Sequence, residues 1–380
     1  MTTYDYIIIG AGASGLLLAD ALGRDAFFAD KSILLLDKDA KQTNDRTWCF
    51  WEKGTGEFDT ILHKIWSTIY FGGTTYKEQL KVTPYAYKMI RGIDFYSEYL
   101  ERLKNYPNIT FLQDEVIHVD DKRTAVKVLT HTTEYSCNKL FNSMFKPDVL
   151  LQQQKYPVLQ QHFIGWFVKT KMPVFKTEQA TFMDFTVPQK GNTRFMYVLP
   201  FSKTEALVEY TLFSEKLLPK REYEDAIETY LKETLDCTDY EIIETEKGSI
   251  PMTCYDFSNV NTKNSLHIGT AGGWSKPSTG YTFINTVKKT TALAAYLKTE
   301  KPLVNFTKKS KFWFYDLLLL DILYKDNGKG QLIFESLFKN RKPQEIFKFL
   351  DEETSFWEDL KIIIGCPKIP FIKALLGRLF

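Results

Sequence analysis

The sequence has few cysteines, no long apolar run and almost no net charge, and each absence excludes a class of protein. Its five cysteines include no Cys-x-x-Cys pair, which argues against a zinc site and against a disulfide framework. No apolar run reaches the ~20 residues that a transmembrane helix needs. With 49 basic and 47 acidic residues, the net charge of +2 gives no reason to expect nucleic acid as a partner.

The same absences predict the cellular compartment of the protein. Scattered cysteines are typical of a reducing compartment, and no signal peptide precedes the first strand-like residues. We also find no Ser-His-Asp triad and no metal-binding cluster of residues. We therefore expect a cytoplasmic protein without a bound metal, peripheral to the membrane.

What the sequence has in excess is length and aromatic side chains. A chain of 380 residues is long enough for two domains, each with its own core. It contains 29 Phe, 21 Tyr and 7 Trp. Aromatic residues mostly fill cores, but this many also suit a large apolar ligand.

The N-terminal segment has the pattern of a dinucleotide-binding unit. An apolar run at 6–9 predicts a buried strand, and Gly10, Gly12 and Gly15 follow it with G-x-G-x-x-G spacing before an apolar helix at 16–22. The first glycine permits a tight turn, the second lets a pyrophosphate approach the backbone, and the third lets helix and strand pack closely. The free N–H groups at the start of the helix then face the anion.

A carboxylate follows this motif at the position expected for ribose binding. The apolar run 33–36 predicts a second buried strand, which ends in Asp37, about 20 residues after the last glycine. Strand, loop, helix, strand and acid in this order make a nucleotide site a strong prediction. The motif alone does not separate FAD from NAD.

A second glycine-rich loop, HIGTAGGWSKPSTGYTF at 267–283, favours FAD. It follows a strand-like run and precedes a predicted helix at 281–297. In two-lobed FAD domains, such a loop reaches the ribityl chain and the flavin ring. We predict that its cofactor-binding residues are Gly269, Thr270, Gly272, Gly273 and Lys276. The glycines allow close backbone approach, Thr270 would bond a ribityl hydroxyl, and Lys276 would pair with flavin or phosphate unless it is an exposed loop lysine.

A cationic and aromatic cluster lies directly after Asp37. The stretch NDRTWCFWEKG at 44–54 places Arg46 beside two tryptophans and a phenylalanine. Arg46 could reach a phosphate or carboxylate of the cofactor, with the aromatic rings as walls for a flat ring. The alternative is a loop held in place by buried indoles.

The rest of the chain predicts an antiparallel sheet and a helical C-terminus. Strand-like segments follow one another at 163–168, 180–185, 194–199 and 206–213, and an amphipathic helix follows at 222–235. The predicted fold class is α/β: a two-lobed FAD-binding Rossmann-type domain with an inserted antiparallel-sheet substrate domain and a C-terminal helical region. We assign 1–65, 91–150 and 245–300 to the FAD-binding domain, 66–90 and 151–244 to the substrate domain, and 301–380 to the helical region.

The C-terminal end combines apolar clusters with basic residues. LKIIIGCPKIPFIKALLGRLF includes Lys361, Lys368, Lys373 and Arg378 among its aliphatic side chains. This pattern suits a segment that lies in a membrane interface. An ordinary pair of core helices is the alternative.

Several sequence blocks together resemble the ordered motifs of the lycopene β-cyclases, the bacterial type related to the plant enzymes. The blocks are DRTWCFW, QHFIGW, FMDF, FMYVLPFSKTEALVEYTLF, IPM and GTAGGWSKPSTGYTF. They extend in order to about residue 300, and the remainder matches less distinctly. The resemblance implies an isomerase that cyclises the ψ-ends of lycopene to β-ionone rings, forming β-carotene via γ-carotene. It implies bound reduced FAD, NAD(P)H as reductant, an apolar carotenoid substrate and membrane contact.

Such a cyclisation needs a protonated acid, a cage for a carbocation and a base. Glu209 is our first candidate, because the strand period separates Glu209 and Thr211 from Val208 and Tyr210. The family motif reads Glu-Asp-Thr or Glu-Glu-Thr, whereas Tyr210 holds the second position here. Asp184, between apolar neighbours, is the second candidate, although a solvent-facing carboxylate is equally compatible with that pattern.

Two other functions remain open at this stage. A flavin monooxygenase or an isoprenoid reductase could share the fold and would turn over NAD(P)H with its substrate. A non-catalytic protein that binds flavin and an apolar ligand at a membrane surface is the other alternative. Substitution of Glu209 would leave ligand handling unchanged in that protein and would abolish activity in a cyclase.

Overall fold

The computed structural model describes residues 2–121 and 125–379, and the chain divides into two compact units. The first unit contains the chain up to Asp45, Arg91–Tyr156 and Cys254–Lys311. The second unit contains Arg46–Ile90, Pro157–Thr253 and the chain from Phe312 onward.

The secondary structure alternates between the two units. The strands are β1 (Thr2–Ile9), β2 (Ile33–Asp37), β3 (Thr47–Lys53), β4 (Lys64–Trp66), β5 (Thr68–Gly72), β6 (Lys77–Lys81), β7 (Tyr85–Arg91), β8 (Ile109–Gln113), β9 (Val116–Asp120), β10 (Val126–Thr130), β11 (Glu134–Asn142), β12 (Val158–Thr170), β13 (Gln179–Asp184), β14 (Thr193–Pro200), β15 (Glu205–Ser214), β16 (Tyr240–Thr253) and β17 (Ser265–His267). The helices are α1 (Ala13–Gly23), α2 (Gly92–Leu103), α3 (Asp148–Leu151), α4 (Lys220–Glu233), α5 (Phe283–Leu297), α6 (Lys311–Lys325), α7 (Lys329–Asn340), α8 (Pro343–Leu350), α9 (Phe356–Gly365) and α10 (Lys368–Leu379).

The first unit is built on a parallel sheet with the strand order β8-β2-β1-β11-β17. Residues 6–9 of β1 and 33–36 of β2 are apolar and buried, as strand residues covered on both faces must be. Strand β11 also pairs antiparallel with β10, and β10 with β9. The chain reverses its winding direction at β1 and β11, which is where doubly wound folds bind their ligands. The predicted Rossmann-type class is confirmed.

The second unit is built on a sheet with the order β16-β12-β15-β14-β13-β5-β6. Its pairs are antiparallel except for β13 with β5, as the sequence of short strands predicts. A smaller sheet, β3-β7-β4, belongs to the same unit. Alternate side chains of β15, including Val208, Tyr210 and Leu212, pack in a core with Ile227 and Tyr230 of α4. We call this side of the large sheet the α4 face and the opposite side the Glu209 face.

The unit boundaries differ from the predicted domain boundaries in five places: residues 151–156 and 301–311 lie in the first unit, and three other segments lie in the second unit. Residues 46–65 lie in the second unit because β3 and β4 pair around β7. Residues 245–253 also lie there, since β16 continues as an edge strand of the large sheet to Thr253. The helices from Phe312 onward cluster with the second unit and do not form a separate region.

Candidate functional site

The first glycine-rich loop has the geometry of a phosphate-binding turn. Gly10 has a φ of 94°, and a Cβ on Gly15 would lie 1.9 Å from the Gly10 carbonyl oxygen. Both positions therefore require glycine, one for its backbone angle and one for the close approach of helix and strand. Gly12 is the N-cap of α1, and a Cβ built on it meets open space. The start of α1 is thus free to accept an anion beside its N–H groups.

Asp37 lies at the end of β2, next to this turn. Its Oδ2 accepts a hydrogen bond from the Ala11 amide at 2.6 Å and pairs with Lys41 at 3.3 Å. Its Oδ1 accepts from the Asp39 amide at 2.8 Å. The carboxylate is therefore held rigidly at the edge of the loop, where a ribose hydroxyl would reach it. Ribose binding by Asp37 remains a prediction.

The second glycine-rich loop packs against the first helix. Gly269, with a φ of 60°, approaches α1 so closely that a Cβ would lie 2.6 Å from Ser14 Oγ. Gly273 has a φ of 69°, and a Cβ on Gly272 would lie 2.1 Å from the His267 carbonyl oxygen. The structure therefore brings both glycine-rich loops together at one end of the parallel sheet, as a single nucleotide site requires.

The polar residues of the second loop differ in exposure. Thr270 is half-buried, and its hydroxyl lies 3.5 Å from Ser275 Oγ, which accepts a hydrogen bond from Thr282 at 2.8 Å. Lys276 is only 1% exposed, so the alternative of an exposed loop lysine is wrong. A lysine buried at this depth has a specific partner or ligand, because its charge is costly to desolvate.

Arg46 and its aromatic neighbours belong to the second unit, whereas the glycine loops belong to the first. Arg46 is exposed at the start of β3. Trp51 stacks on Phe347 at 4.6 Å between ring centroids and donates a hydrogen bond to Asp351 at 2.8 Å. Trp51 is thus buried within the second unit, as the alternative of a segment held in place by buried indoles predicts. The segment is a strand and not a loop. A cofactor role for Arg46 remains a prediction.

Glu209 lies in the middle of β15 on the Glu209 face, opposite to Val208 and Tyr210. It is 8% exposed, so it is not a solvated strand residue. Thr211, the next side chain on this face, donates a hydrogen bond to Glu209 Oε1 at 2.5 Å. The predicted alternation of β15 is confirmed.

A second buried carboxylate, Glu246 of β16, lies beside Glu209. In the sheet register, Gly165 of β12 pairs with Glu209 on one side and with Glu246 on the other. Glu246 is 7% exposed, and its Oε2 accepts a hydrogen bond from Thr47 of β3 at 2.7 Å. Our sequence analysis missed Glu246. The available signal was Gly165, because glycine inside a strand marks a close approach of other groups.

The pair perturbs the acidity of its members. Burial raises the pKa of Glu209 well above its usual range, and the negative charge of Glu246 and a hydrogen bond with it raise the pKa further. The hydrogen bond from Thr211 offsets part of this shift. Burial likewise raises the pKa of Cys49, a residue of β3 that lies near both carboxylates. The site therefore favours the protonated form of a carboxyl in a water-poor environment.

The structure separates Asp184 from this pair. Asp184 is buried, and it accepts hydrogen bonds from Tyr230 of α4 at 2.7 Å and from the Thr186 amide at 3.0 Å. Its register partner on β14 is Met196, which belongs to the core on the α4 face. Asp184 is therefore buried, not solvent-facing, and its contacts are those of a residue that joins the sheet to a helix.

Tyr210, at the second position of the family's acidic motif, also points to the α4 face. Its hydroxyl accepts a hydrogen bond from Arg194 at 3.3 Å, and Arg194 pairs with Glu222 at 2.7 Å. The side chain of residue 210 therefore lies away from Glu209. In this chain the second acid next to Glu209 comes from β16.

Comparisons with known proteins agree with this architecture. One similar solved structure is a geranylgeranyl bacteriochlorophyll reductase-like protein from Thermoplasma acidophilum, with 10% identity, a TM-score of 0.67 and coverage of 100% of both chains. A second is a flavoprotein/dehydrogenase from Cytophaga hutchinsonii, with 12% identity, a TM-score of 0.63 and coverage of 99% of this chain and 100% of that chain. A third is a halogenase variant in complex with FAD, with 11% identity, a TM-score of 0.58 and coverage of 91% of this chain and 78% of that chain. At these identities they show the fold alone. A search of curated proteins found no significant match.

The family comparison covers almost the whole chain. The family model described as lycopene cyclase protein matches residues 5–376, which include both glycine-rich loops and the carboxylate pair. The chain belongs to the lycopene cyclase family.

Proposed function

We propose that the protein is a lycopene β-cyclase in which Glu209 is the catalytic acid. The observation that carries this proposal is the buried pair of Glu209 and Glu246. An alkene is a very poor proton acceptor, so its protonation needs an acid that stays protonated where water is excluded. Glu209 meets both conditions, since it is buried and its pKa is raised by its surroundings.

The reaction balances without an oxidant. The Glu209 carboxyl gives its proton to the terminal alkene of a ψ-end, which leaves a tertiary carbocation. The neighbouring alkene attacks this cation and closes the ring, and a carboxylate of the pair removes one ring proton. Each ring therefore gains one proton and loses one, so the product is an isomer of the substrate.

The cation needs stabilisation from its surroundings, and the Glu209 face offers an aromatic residue for this role. Tyr197 of β14 lies directly opposite Glu209 in the sheet register. Its ring lies 5.2 Å from the ring of Phe195 and 6.2 Å from that of Phe182, between centroids. An aromatic face next to a forming cation stabilises it through the ring quadrupole.

The glycine loops of the first unit fit FAD. The open space at Gly12, the N-terminus of α1 and the fixed carboxylate of Asp37 suit a pyrophosphate and a ribose, and the buried Lys276 suits an anionic group. The similar halogenase was solved with FAD. We propose Gly269, Thr270, Gly272 and Gly273 as the backbone that approaches the cofactor. Bound in its reduced, anionic form, FAD would supply negative charge, and NAD(P)H is the proposed reductant.

The carotenoid substrate is proposed to reach the protein from a lipid surface. Among the described helices, none is both long and apolar enough to cross a bilayer. The apolar side chains that α9 and α10 expose are Phe356, Trp357, Ile364, Ile369, Ile372, Leu376 and Leu379. Lys361, Lys368 and Lys373 are exposed among them, whereas Arg378 is paired with Asp321. Apolar and cationic groups together suit an interface with anionic lipid.

Anaerobic incubation with lycopene in liposomes, FAD and a chemical reductant tests the proposal. We expect β-carotene or its one-ringed precursor, at unchanged mass and without stoichiometric consumption of reductant. The matched control is Glu209→Gln, which keeps the shape of the side chain and removes its acid. A product heavier by hydrogen or oxygen, formed with stoichiometric NAD(P)H, would instead indicate a reductase or a monooxygenase.

A further inference from the structure

The carboxylates of Glu209 and Glu246 meet across a strand that lies between their own strands. Neighbouring strands are about 4.8 Å apart, so the backbones of β15 and β16 are separated by about 10 Å at this row. Gly165 of β12 fills the middle of the row and has no side chain. A Cβ at Gly165 would lie 2.8 Å from Leu207 Cδ1 and 3.3 Å from both Glu209 Cβ and Glu246 Cγ. The glycine thus leaves space that the side chains of Leu207, Glu209 and Glu246 occupy from either side.

The hydrogen bonds of the pair require a proton. Glu209 accepts from Thr211, Glu246 accepts from Thr47, and Glu246 raises the pKa of Glu209 through its negative charge and through a hydrogen bond between the two carboxyl groups. An ionised carboxylate only accepts hydrogen bonds, so two ionised carboxylates cannot form this contact. Such a hydrogen bond forms when one of the two holds a proton and the other carries the negative charge.

We infer that Glu246 is a positioning residue that holds one shared proton on Glu209 and carries the negative charge of the pair. The inference rests on the proposed function for its role in cyclisation. Before proton transfer, the charge of Glu246 keeps Glu209 protonated, because ionisation of both would place like charges in contact. After the transfer, two anions lie beside the carbocation and stabilise it electrostatically.

Other polar groups near the pair lie on β3, β7 and β14. Thr47 and Cys49 lie on β3, and the Tyr87 hydroxyl on β7 is hydrogen-bonded to Cys49. Burial raises the pKa of the Cys49 thiol, so it stays neutral. Tyr197 faces Glu209 from β14. The charge that acts on the Glu209 carboxyl through a direct hydrogen bond is therefore that of Glu246.

Two substitutions should shift the titration of the pair in opposite directions. Glu246→Gln removes the like charge, so the pH at which Glu209 ionises should fall by at least about one unit. Thr47→Val removes a donor to Glu246, and the shared proton can compensate for this loss only while one carboxyl of the pair is protonated, so the same midpoint should rise. Glu246→Asp keeps a negative charge and should restore much of the upward shift. Glu241→Gln, an exposed residue of the same strand, is the matched control and should change nothing.

The titration is measured without substrate, from the infrared band of protonated carboxyl groups, and again from the pH dependence of kcat. Unfolding would not move the midpoint in opposite directions in Glu246→Gln and Thr47→Val. If the two variants shift the midpoint in opposite directions although the wild-type protein forms no cyclised carotenoid, that result supports the shared proton and rejects the proposed function. A cyclising enzyme whose midpoint is the same in Glu246→Gln as in the wild type would overturn the inference.

Discussion

Glu209 and Asp184 lie on opposite faces of one sheet. Glu209 shares its row with Tyr197 and Gly165, whereas Asp184 shares its row with Met196 and is bonded to Tyr230 of α4. Two carboxylates on opposite faces cannot act on the same reacting carbon. We therefore expect the two carboxylates to have different roles, and their substitution should have different consequences.

Glu209→Gln should abolish cyclisation while the protein stays folded and binds flavin. A general acid contributes about 10²–10⁴ to a rate, so we expect a loss of at least two orders of magnitude in kcat. Initial rates of product formation under reducing, anaerobic conditions measure this loss. Activity within tenfold of the wild type would remove Glu209 from the role of acid.

Asp184→Ala should reduce stability more than chemistry. The substitution leaves the buried hydroxyl of Tyr230 without its acceptor, at a cost of about 1–3 kcal/mol in the free energy of unfolding. Urea denaturation measures this cost, and kcat per folded molecule should stay within about threefold. Tyr230→Phe, which removes the donor of the same bond, is the matched control. A hundredfold loss of kcat in stable Asp184→Ala would show that this residue takes part in the reaction.

Glu209→Gln should also change how stability depends on pH. The pKa of Glu209 is raised in the folded protein, so between its unfolded and folded pKa values the native state binds more protons than the unfolded state. Stability contributed by this group is complete below the unfolded value and is lost as pH rises toward the folded value. Relative to the wild type, Glu209→Gln should gain stability on going from pH 5 to pH 8. Thermal unfolding at both pH values measures this gain. If the stability difference between Glu209→Gln and the wild type were the same at pH 5 and pH 8, the raised pKa would be contradicted.

Gly12→Ala should fold normally and lose flavin. A Cβ at Gly12 meets no protein atom within 4 Å, so the methyl group costs little in the protein itself. It would occupy the space through which a pyrophosphate approaches α1, and we expect at least a tenfold loss of FAD affinity. Gly377→Ala in α10, where a Cβ is equally unobstructed, is the control. Retention of full FAD binding by Gly12→Ala would place the cofactor elsewhere.

Tyr197→Leu should slow cyclisation and Tyr197→Phe should not. Both replacements lose the hydroxyl, but only leucine loses the aromatic face opposite Glu209. A cation–π interaction of about 1–2 kcal/mol corresponds to a loss of roughly five- to thirtyfold in kcat. Similar rates for the two variants would show that the ring does not face the cation.

The exposed basic residues of α9 and α10 should control binding to lipid. Replacement of Lys361, Lys368 and Lys373 by Glu should abolish flotation with vesicles that contain anionic phosphatidylglycerol, because the attraction becomes repulsion. Trp357→Ser, which removes a side chain that is 73% exposed, should weaken binding to neutral and anionic vesicles alike. Unchanged flotation of both variants would exclude these helices as the lipid-binding surface.

The sequence predicts those features of this site that depend on neighbouring residues, but not those that depend on contacts between distant segments. The spacing of Gly10, Gly12 and Gly15 and the alternation around Glu209 are properties of one turn, one helix and one strand, and all appear as predicted. Lys276 belongs to the second glycine-rich loop, but its burial depends on the folded structure and is not visible in the sequence.

The pairing of Glu209 with Glu246 could not be predicted from local pattern. It depends on the register of three strands, on the placement of β16 beside β12 and on the empty position at Gly165. Strand pairing between distant segments also explains why β3 and residues 245–253 belong to the second unit and not to the predicted FAD-binding domain. Strand order and register are set by contacts between distant segments, and a single sequence does not display them.

Cyclisation in D₂O with reduced FAD tests the central claim most directly. If Glu209 transfers an exchangeable proton to the ψ-end, each ring formed should contain one deuterium, and one hydrogen should be lost to solvent. β-Carotene should then be two mass units heavier than in H₂O, and Glu209→Gln should form none. Product without solvent deuterium, or with hydrogen transferred from the reductant, would contradict the acid–base mechanism.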